Sequence, residues 1–162
     1  MKILSRLMLI ACLVLPFAGC KKEEAPQAAA TPPMAAPQND DMNAWRNYLQ
    51  DIVPRYMGAG TSQPYVYLLP GESTADFNDV YTRLAQKAKE DLGRGIVSGN
   101  LLAFASPASA KCADMVVDAF KDVPAGSMKG VKVLFIGKAA DNDRVKAAVA
   151  PAGVDYTFVE TK

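Results

Sequence analysis

Histidine is missing from the sequence: none of its 162 residues is a histidine. Without an imidazole there is no Ser-His-Asp or Cys-His catalytic set, no imidazole metal ligand and no histidine-based pH switch. An excess of one charge is missing too, since 18 lysines and arginines nearly balance 17 aspartates and glutamates. A chain without a basic stripe is poorly suited to hold phosphates, so we expect no nucleic-acid partner. These absences favour binding over catalysis, and we expect no cofactor and no metal.

The first 19 residues have the composition of a secretory signal rather than of a folded element. Lys2 and Arg6 form a short basic region, and an apolar run from Leu7 to Phe17 follows it. A helix needs roughly 20 apolar residues to span a bilayer, so this run is too short for a stable membrane anchor. We therefore predict that residues 1–19 are a signal peptide.

Two small residues precede a cysteine at the end of this run, in the order Phe17-Ala18-Gly19-Cys20. Over about the first 22 residues the chain resembles the bacterial lipoprotein signal family, whose lipobox usually has leucine where this chain has Phe17. The resemblance implies that Cys20 receives a diacylglyceryl group on its sulfur, and that cleavage before Cys20 exposes an amino terminus that is acylated, for example with palmitate. Lys21 after the cysteine implies sorting to the outer membrane, facing the periplasm. The alternatives are an ordinary cleaved signal or a buried N-terminal helix.

Residues 20–39 separate this cysteine from the rest of the chain. The segment is rich in alanine, and prolines at 26, 32, 33 and 37 disfavour a helix. We predict a disordered tether here and a single domain over residues 40–162. Because cleavage would remove Cys12 and lipid would occupy Cys20, Cys112 would have no disulfide partner, even in an oxidising compartment.

Residues 40–162 alternate between helical and extended patterns. A first helix begins near Asp40 and Asp41, and Ser73 or Thr74 is predicted to cap a second helix that Gly93 and Gly95 terminate. A third helix carries a cysteine, methionine, valine, alanine and phenylalanine on one face, and a shorter fourth helix covers 141–150. Apolar runs predict four strands, at 65–69, 101–105, 131–136 and 154–159.

This order, a helix followed by βαβαβαβ, predicts an α/β fold. Helical crossovers of a dozen or more residues make the strands parallel, so we expect a small α/β/α sandwich around a four-stranded, mostly parallel sheet. The first three strands are almost continuously apolar, which predicts helices on both of their faces. The last strand alternates, with Val154, Tyr156 and Phe158 on one side, and is predicted to lie at an edge of the sheet.

The first helix carries the strongest signal for a partner surface. Its apolar stripe includes Trp45, Tyr48 and Tyr56, which belong to residue types enriched in interface hot spots. The helix also lies outside the βαβ repeat and next to the tether. The alternative is that the same stripe packs on the sheet.

Loops that follow the strands form a second candidate site. Ligands of open parallel sheets bind outside the carboxyl ends of the strands, where helix N-termini offer free N–H groups. Ser106, Ser109, Lys111 and Lys138 are therefore a candidate anion site, or the serines only cap helices. Cys112 lies in the first turn of its helix beside Lys111, which favours a reactive thiol, whereas its register with the apolar face favours burial.

Two functions follow from these patterns. The first is a cell-envelope lipoprotein whose tethered domain binds a protein partner without catalysis, as an assembly module or as an inhibitor or immunity-type protein. Its partners would be the lipid bilayer, through acylated Cys20, and a protein of the envelope. The second is small anionic-ligand binding, or a thiol-based activity, at the carboxyl edge of the sheet.

Overall fold

The computed structural model describes residues 32–61 and 64–162, and all statements below refer to them. Four helices and four strands alternate along this part of the chain. They are α1 (Met42–Tyr56), β1 (Tyr65–Leu68), α2 (Phe77–Arg94), β2 (Leu101–Ala105), α3 (Ser109–Phe120), β3 (Lys132–Gly137), α4 (Ala139–Val149) and β4 (Asp155–Glu160). Within these ranges no helix is both long and apolar enough to cross a membrane.

The predicted signal peptide, Cys20 and most of the predicted tether lie outside the described residues. The described chain begins at Pro32 and so includes the last part of the segment predicted as tether. The Met34 N–H donates to the Asp51 carboxylate over 2.8 Å, and Ala36 packs beside the core under α1. Met34 and Ala36 thus contact the domain, and the tether over residues 20–39 stays a prediction.

The four strands form one parallel sheet in the order β1-β2-β3-β4. This confirms the α/β fold, the parallel strands and the edge position of the last strand. Consecutive strands are neighbours, and crossovers between parallel strands are right-handed as a rule, so α2, α3 and α4 pack on the same face of the sheet. α1 covers the opposite face, and each face has its own buried cluster.

The face under α2, α3 and α4 holds most of the buried aromatic rings. Tyr67 and Phe104 stack with their ring centroids 4.7 Å apart, and Phe120 meets Phe104 edge-on at 6.4 Å. Towards the β4 edge, Phe135 stacks with Phe158 at 6.1 Å. Because aromatic side chains bury large areas, this layer is the main apolar core of the domain.

α1 begins where the sequence predicts. The carboxylate of Asp41 accepts hydrogen bonds from the N–H groups of Asn43 and Ala44 and so caps the helix. Pro54 lies in the last turn, two residues before the end of the helix. The buried side of α1 packs on the two central strands, contacting Leu101, Ala103 and Ala105 of β2 and Leu134 and Ile136 of β3.

α2 begins later than predicted. Its N-cap position is Asp76, and neither Ser73 nor Thr74 caps it. The Ser73 hydroxyl donates to the Asp40 carboxylate, and the Thr74 carbonyl accepts from the Phe77 N–H over 3.0 Å. The capping prediction is wrong because the chain makes additional turns between β1 and α2.

β1 also departs from the prediction, which places helices on both of its faces. Val66 is 42% exposed, and Leu68 is half-buried. Four strands at a spacing of about 4.8 Å are about 19 Å wide, roughly twice the width of one helix. Since α1 lies over β2 and β3, one face of β1 stays open.

Candidate functional site

An open apolar groove of about 510 Å³ lies between α1 and β1, over the uncovered part of the sheet. Apolar side chains from both elements and from their connection form most of its surface, namely Leu49, Val53, Pro54, Met57, Pro64, Val66 and Leu68. Exposed Arg46 and Gln50 complete the side formed by the helix. Val66 is the most exposed strand residue of this lining, whereas Leu49 and Val53 are buried.

The groove lies between a row of side chains on α1 and a row of side chains on β1, which do not fill the space between the two elements. Arg46, Gln50, Val53 and Met57 succeed one another at intervals of three or four residues, which places them along one flank of α1. Val66 and Leu68 are two residues apart, so both side chains point to the face that carries α1. Within residues 32–61 and 64–162, no helix or strand fills the space between the two rows.

Arg46 is the charged member of this lining. Its Nη1 donates to the amide oxygen of Asn43 over 3.0 Å, and no carboxylate of the described residues forms an ion pair with it. On the other side of α1, Asp51 and Arg55 pair over 2.8 Å. Arg46 therefore carries a positive charge at the border of an apolar surface, without an ion pair to a carboxylate of residues 32–61 and 64–162.

The opposite flank of α1, over β4, is occupied by the chain itself. Residues 33–36 lie there beside Tyr56 and Val159, and a smaller cavity of about 280 Å³ remains. The Met34–Asp51 hydrogen bond holds this segment against the helix. The two flanks of the same helix thus differ: one is covered by an extended segment, and the other is uncovered.

The rings predicted as a partner surface do not lie at the surface. Trp45 is 1% and Tyr48 is 2% exposed, and the two rings meet edge-on at 5.9 Å. The indole N–H of Trp45 donates to the Asn39 carbonyl over 2.9 Å, and burial raises the pKa of Tyr48. Tyr56 is half-buried, on the flank that faces β4. The partner-surface prediction is corrected: this stripe packs on the sheet, and the flank of α1 that borders the open groove is the one beside β1.

Both serines of the predicted anion site are buried and hydrogen-bonded within the chain. The Ser106 hydroxyl oxygen accepts from the Ala108 N–H over 2.8 Å. The Ser109 hydroxyl donates to the Asp141 carboxylate over 2.6 Å and accepts from the Lys138 N–H over 2.8 Å. These hydroxyls close a turn and join α3 to α4, and neither is directed at a ligand.

The two predicted lysines are not brought together. Lys138 lines a small cavity of about 160 Å³ at the carboxyl edge of the sheet, with Asp40, Trp45 and Lys162 among its neighbours. Lys111 lies on α3, is half-buried and does not line this cavity. The four residues predicted to bind an anion therefore do not share one cavity.

Cys112 faces the core from the first turn of α3. Its side chain is 0% exposed, and burial, together with the nearby charge of Asp141, raises the pKa of its thiol. A thiol in this environment is protonated at neutral pH and shielded from solvent, which disfavours nucleophilic chemistry. This placement agrees with the packing interpretation of the residue.

Arg144 forms an ionic link between α3 and α4 that the sequence analysis missed. Its Nη2 donates to Asp141 over 2.7 Å and to the Ala110 carbonyl over 2.7 Å, and its Nη1 donates to Asp114. The i,i+3 spacing of Asp141 and Arg144 is visible in the sequence. The contact with Asp114 is not, because it depends on the packing of the two helices.

A second missed cluster surrounds the buried carboxylate of Asp91 on α2. The Tyr67 hydroxyl and the Lys87 ammonium donate to it over 2.9 and 2.6 Å. Burial acts to raise the pKa of Asp91, but these hydrogen bonds and the charges of Lys87 and Arg94 outweigh it and lower the pKa below 3.8. Burial raises the pKa of the Tyr67 hydroxyl, and its hydrogen bond to the Asp91 carboxylate raises the pKa further.

Neither cluster resembles a metal centre. Within residues 32–61 and 64–162, no group of three or more cysteine, aspartate or glutamate side chains is placed to hold a metal ion. In comparisons with known proteins, no family model matches the chain, and no curated protein and no solved structure shows significant similarity to it. The geometry of the domain is thus the basis for proposing a function.

Proposed function

We propose that this protein is a cell-envelope lipoprotein whose tethered domain binds a protein partner, without catalysis, in the groove between α1 and β1. The groove carries the proposal, because contiguous accessible apolar surface is a characteristic of interaction sites. A partner that buried Val66 and Leu68 would complete the cover that this face of the sheet lacks. An assembly module and an inhibitor or immunity-type protein would use the same surface.

The anchor in this proposal is acylated Cys20. Stable attachment to a bilayer takes more than one acyl chain, and the lipobox resemblance implies acylation at both the sulfur and the new amino terminus. The proline-containing segment after Cys20 would then extend by about 3.1 Å per residue and hold the groove away from the lipid headgroups. In this proposal the domain lies at the outer membrane and faces the periplasm.

The alternative function, at the carboxyl edge of the sheet, has less support. Ser106 and Ser109 use their hydroxyls within the chain, and the thiol of Cys112 is buried. The cavity beside Lys138 is about 160 Å³, well below the volumes of ordinary ligand pockets. We therefore favour the groove.

Mass spectrometry of the native protein tests the anchor. The expected species starts at Cys20 and carries both a diacylglyceryl group and an amide-linked fatty acid. A Cys20→Ala variant should carry no lipid and should not be cleaved before position 20. An unmodified Cys20 in the native protein, or an attached leader, would contradict the proposed localisation.

Photo-crosslinking in intact cells tests the groove. A photo-reactive amino acid at position 66 should give one protein adduct, in which the partner and this protein are joined in a 1:1 ratio. The matched control is position 97, also a valine and 72% exposed, but in the connection between α2 and β2. The proposal fails if position 66 gives no protein adduct, or the same adducts as position 97.

A further inference from the structure

The sheet face that carries α1 has room for a helix over β1. A four-stranded sheet is about 19 Å wide, so one helix of about 10 Å does not cover such a face. α1 packs on β2 and β3, and residues 33–36 lie on the β4 side. Neighbouring helices pack about 8–10 Å apart, so a helix packed beside α1 would lie over β1.

The geometry of β1 disfavours an added strand as the occupant. The strand has four residues, and prolines at positions 64 and 70, which have no N–H, bracket it. An edge this short offers few backbone groups to a pairing strand. What is accessible is the face of β1, through Val66 and Leu68, and a helix covers such a face with its side chains.

The charge of the groove adds a second requirement. Arg46 forms no ion pair with the described carboxylates, and a helix lying beside α1 would pass its guanidinium. Covering an arginine without supplying a counter-charge costs free energy, whereas a carboxylate forms a strong, often bidentate pair with it. An occupant with an acidic residue at its border fits this groove better than a neutral or basic one.

A second copy of this chain does not meet these requirements through its own α1. The outward side of that helix carries Asn43, Asn47 and Asp51, which are polar. Such a surface offers no apolar side chains that could pack on Val66 and Leu68. A second copy that docks through its α1 is therefore disfavoured, and a helix from a different protein is favoured as the occupant.

We infer that the groove binds an amphipathic α-helix of a partner protein, which lies beside α1 over β1 and places a carboxylate opposite Arg46. This inference rests on the proposed function and specifies its partner. The apolar side of the helix packs on Val66 and Leu68, and its acidic residue lies where the apolar side meets solvent. The bound helix becomes the second helix of the layer that α1 begins.

A displayed peptide library tests this with the full chain purified in detergent. The library consists of peptides of about 18 residues, with either helical or alternating apolar spacing and with Glu, Gln or Lys at the border positions. Selected peptides should have helical spacing and a border Glu. Val66→Asp should weaken their binding at least about tenfold, while Val97→Asp should not change it.

A charge reversal tests the role of Arg46 and does not alter a buried position. Arg46→Glu should shift the selection from border Glu to border Lys, whereas Arg83→Glu, an exposed position on α2, should leave the preference for Glu. Because the side chain of Arg46 is exposed, Arg46→Glu should not destabilise the fold. The peptide selection can therefore be interpreted even if Val66→Asp lowers stability. An unchanged preference in Arg46→Glu would overturn the inference.

The two proposals fail in distinguishable ways. If position 66 crosslinks a protein in cells but the library yields alternating or unselected sequences, the partner-binding function stands and the helical occupant is overturned. If position 66 crosslinks lipid and no protein, both are overturned. Both proposals are supported if position 66 crosslinks in cells to a segment of a partner protein that has helical apolar spacing and an acidic border residue.

Discussion

Three helices cover one face of the sheet, whereas α1 is the only helix of the described residues on the other. Adjacent residues of β1 show the consequence, since Tyr67 is 1% and Val66 is 42% exposed. Tyr67 stacks on Phe104 and hydrogen-bonds to Asp91, whereas Val66 borders the groove. One face of β1 is thus fully covered, and the other leaves apolar surface accessible.

The carboxyl edge of the sheet and the groove beside α1 differ in the same way. At the carboxyl edge, Ser109, Asp141 and Arg144 link α3 to α4 with hydrogen bonds that involve every side chain of the group. Beside α1, by contrast, Arg46 and its apolar neighbours have contacts on one side only. A site whose groups are already paired holds the domain together, while a site with unmatched groups is available for binding.

The largest expected effect is on the covered face. Phe104→Ala should lower the free energy of unfolding by about 3–5 kcal/mol, because the ring is fully buried between Tyr67 and Phe120. Val66→Ala on the open face should cost less than about 1 kcal/mol. Chemical denaturation measures both variants, and equal losses would mean that β1 is covered on both faces in solution.

A smaller loss is expected from the link between α3 and α4. Asp141→Ala should destabilise the protein by about 1–3 kcal/mol, because it removes an acceptor of the Ser109 hydroxyl and of Arg144. Asp143→Ala, at an exposed position on the same helix, is the matched control and should change stability by no more than about 0.5 kcal/mol. Similar values for the two variants would show that the link contributes little.

The buried carboxylate on the covered face predicts a modest acid sensitivity. The pKa of Asp91 is lower in the folded protein than its ordinary value of 3.8, so its contribution to stability is complete above that value. The contribution is lost as the pH falls through the lower pKa of the folded state. Thermal unfolding from neutral pH to about pH 2 should therefore depend less on pH in Asp91→Asn.

Tyr67→Phe sharpens this measurement, because it removes one of the hydrogen bonds that lower the pKa of Asp91. It should weaken the acid dependence without abolishing it, since Lys87 still donates to the carboxylate. An acid dependence unchanged in both variants would place its origin in other carboxylates.

The smallest expected effect concerns the reactivity of the Cys112 thiol. In a chain with Cys12→Ser and Cys20→Ser, this thiol should stay unmodified by a maleimide until the protein unfolds, because it is buried and protonated. Adding Val66→Cys to the same chain should produce immediate labelling of one thiol, on the open face. Rapid labelling of Cys112 itself would restore the thiol-based alternative.

The elements of the fold were predictable because each is encoded by a local period. The strand at 101–105 has the predicted bounds, and α1 begins beside the predicted Asp41. Errors arose where one residue type serves several purposes. Ser73 has a side chain suited to capping, yet it bonds to Asp40, which lies 33 residues earlier in the sequence.

The candidate site was predicted only in part. The sequence analysis chose α1 as the partner helix, but it selected the rings of Trp45 and Tyr48, which the sheet buries. Large apolar side chains at helical spacing look the same in a sequence whether they meet a sheet or a partner. The flank that stays open contains polar residues, such as Arg46 and Gln50, and has no comparable signature.

The sequence by itself determined the alternation of helices and strands, the parallel sheet and the edge position of β4, since these follow from residue periods and crossover lengths. Only the tertiary structure decided which surface is open. Exposure of Val66 depends on where α1 crosses the sheet and on which strand lies beside β1, and those neighbours are distant in sequence. Local patterns specify the elements, whereas the space that the elements leave between them is a property of their packing.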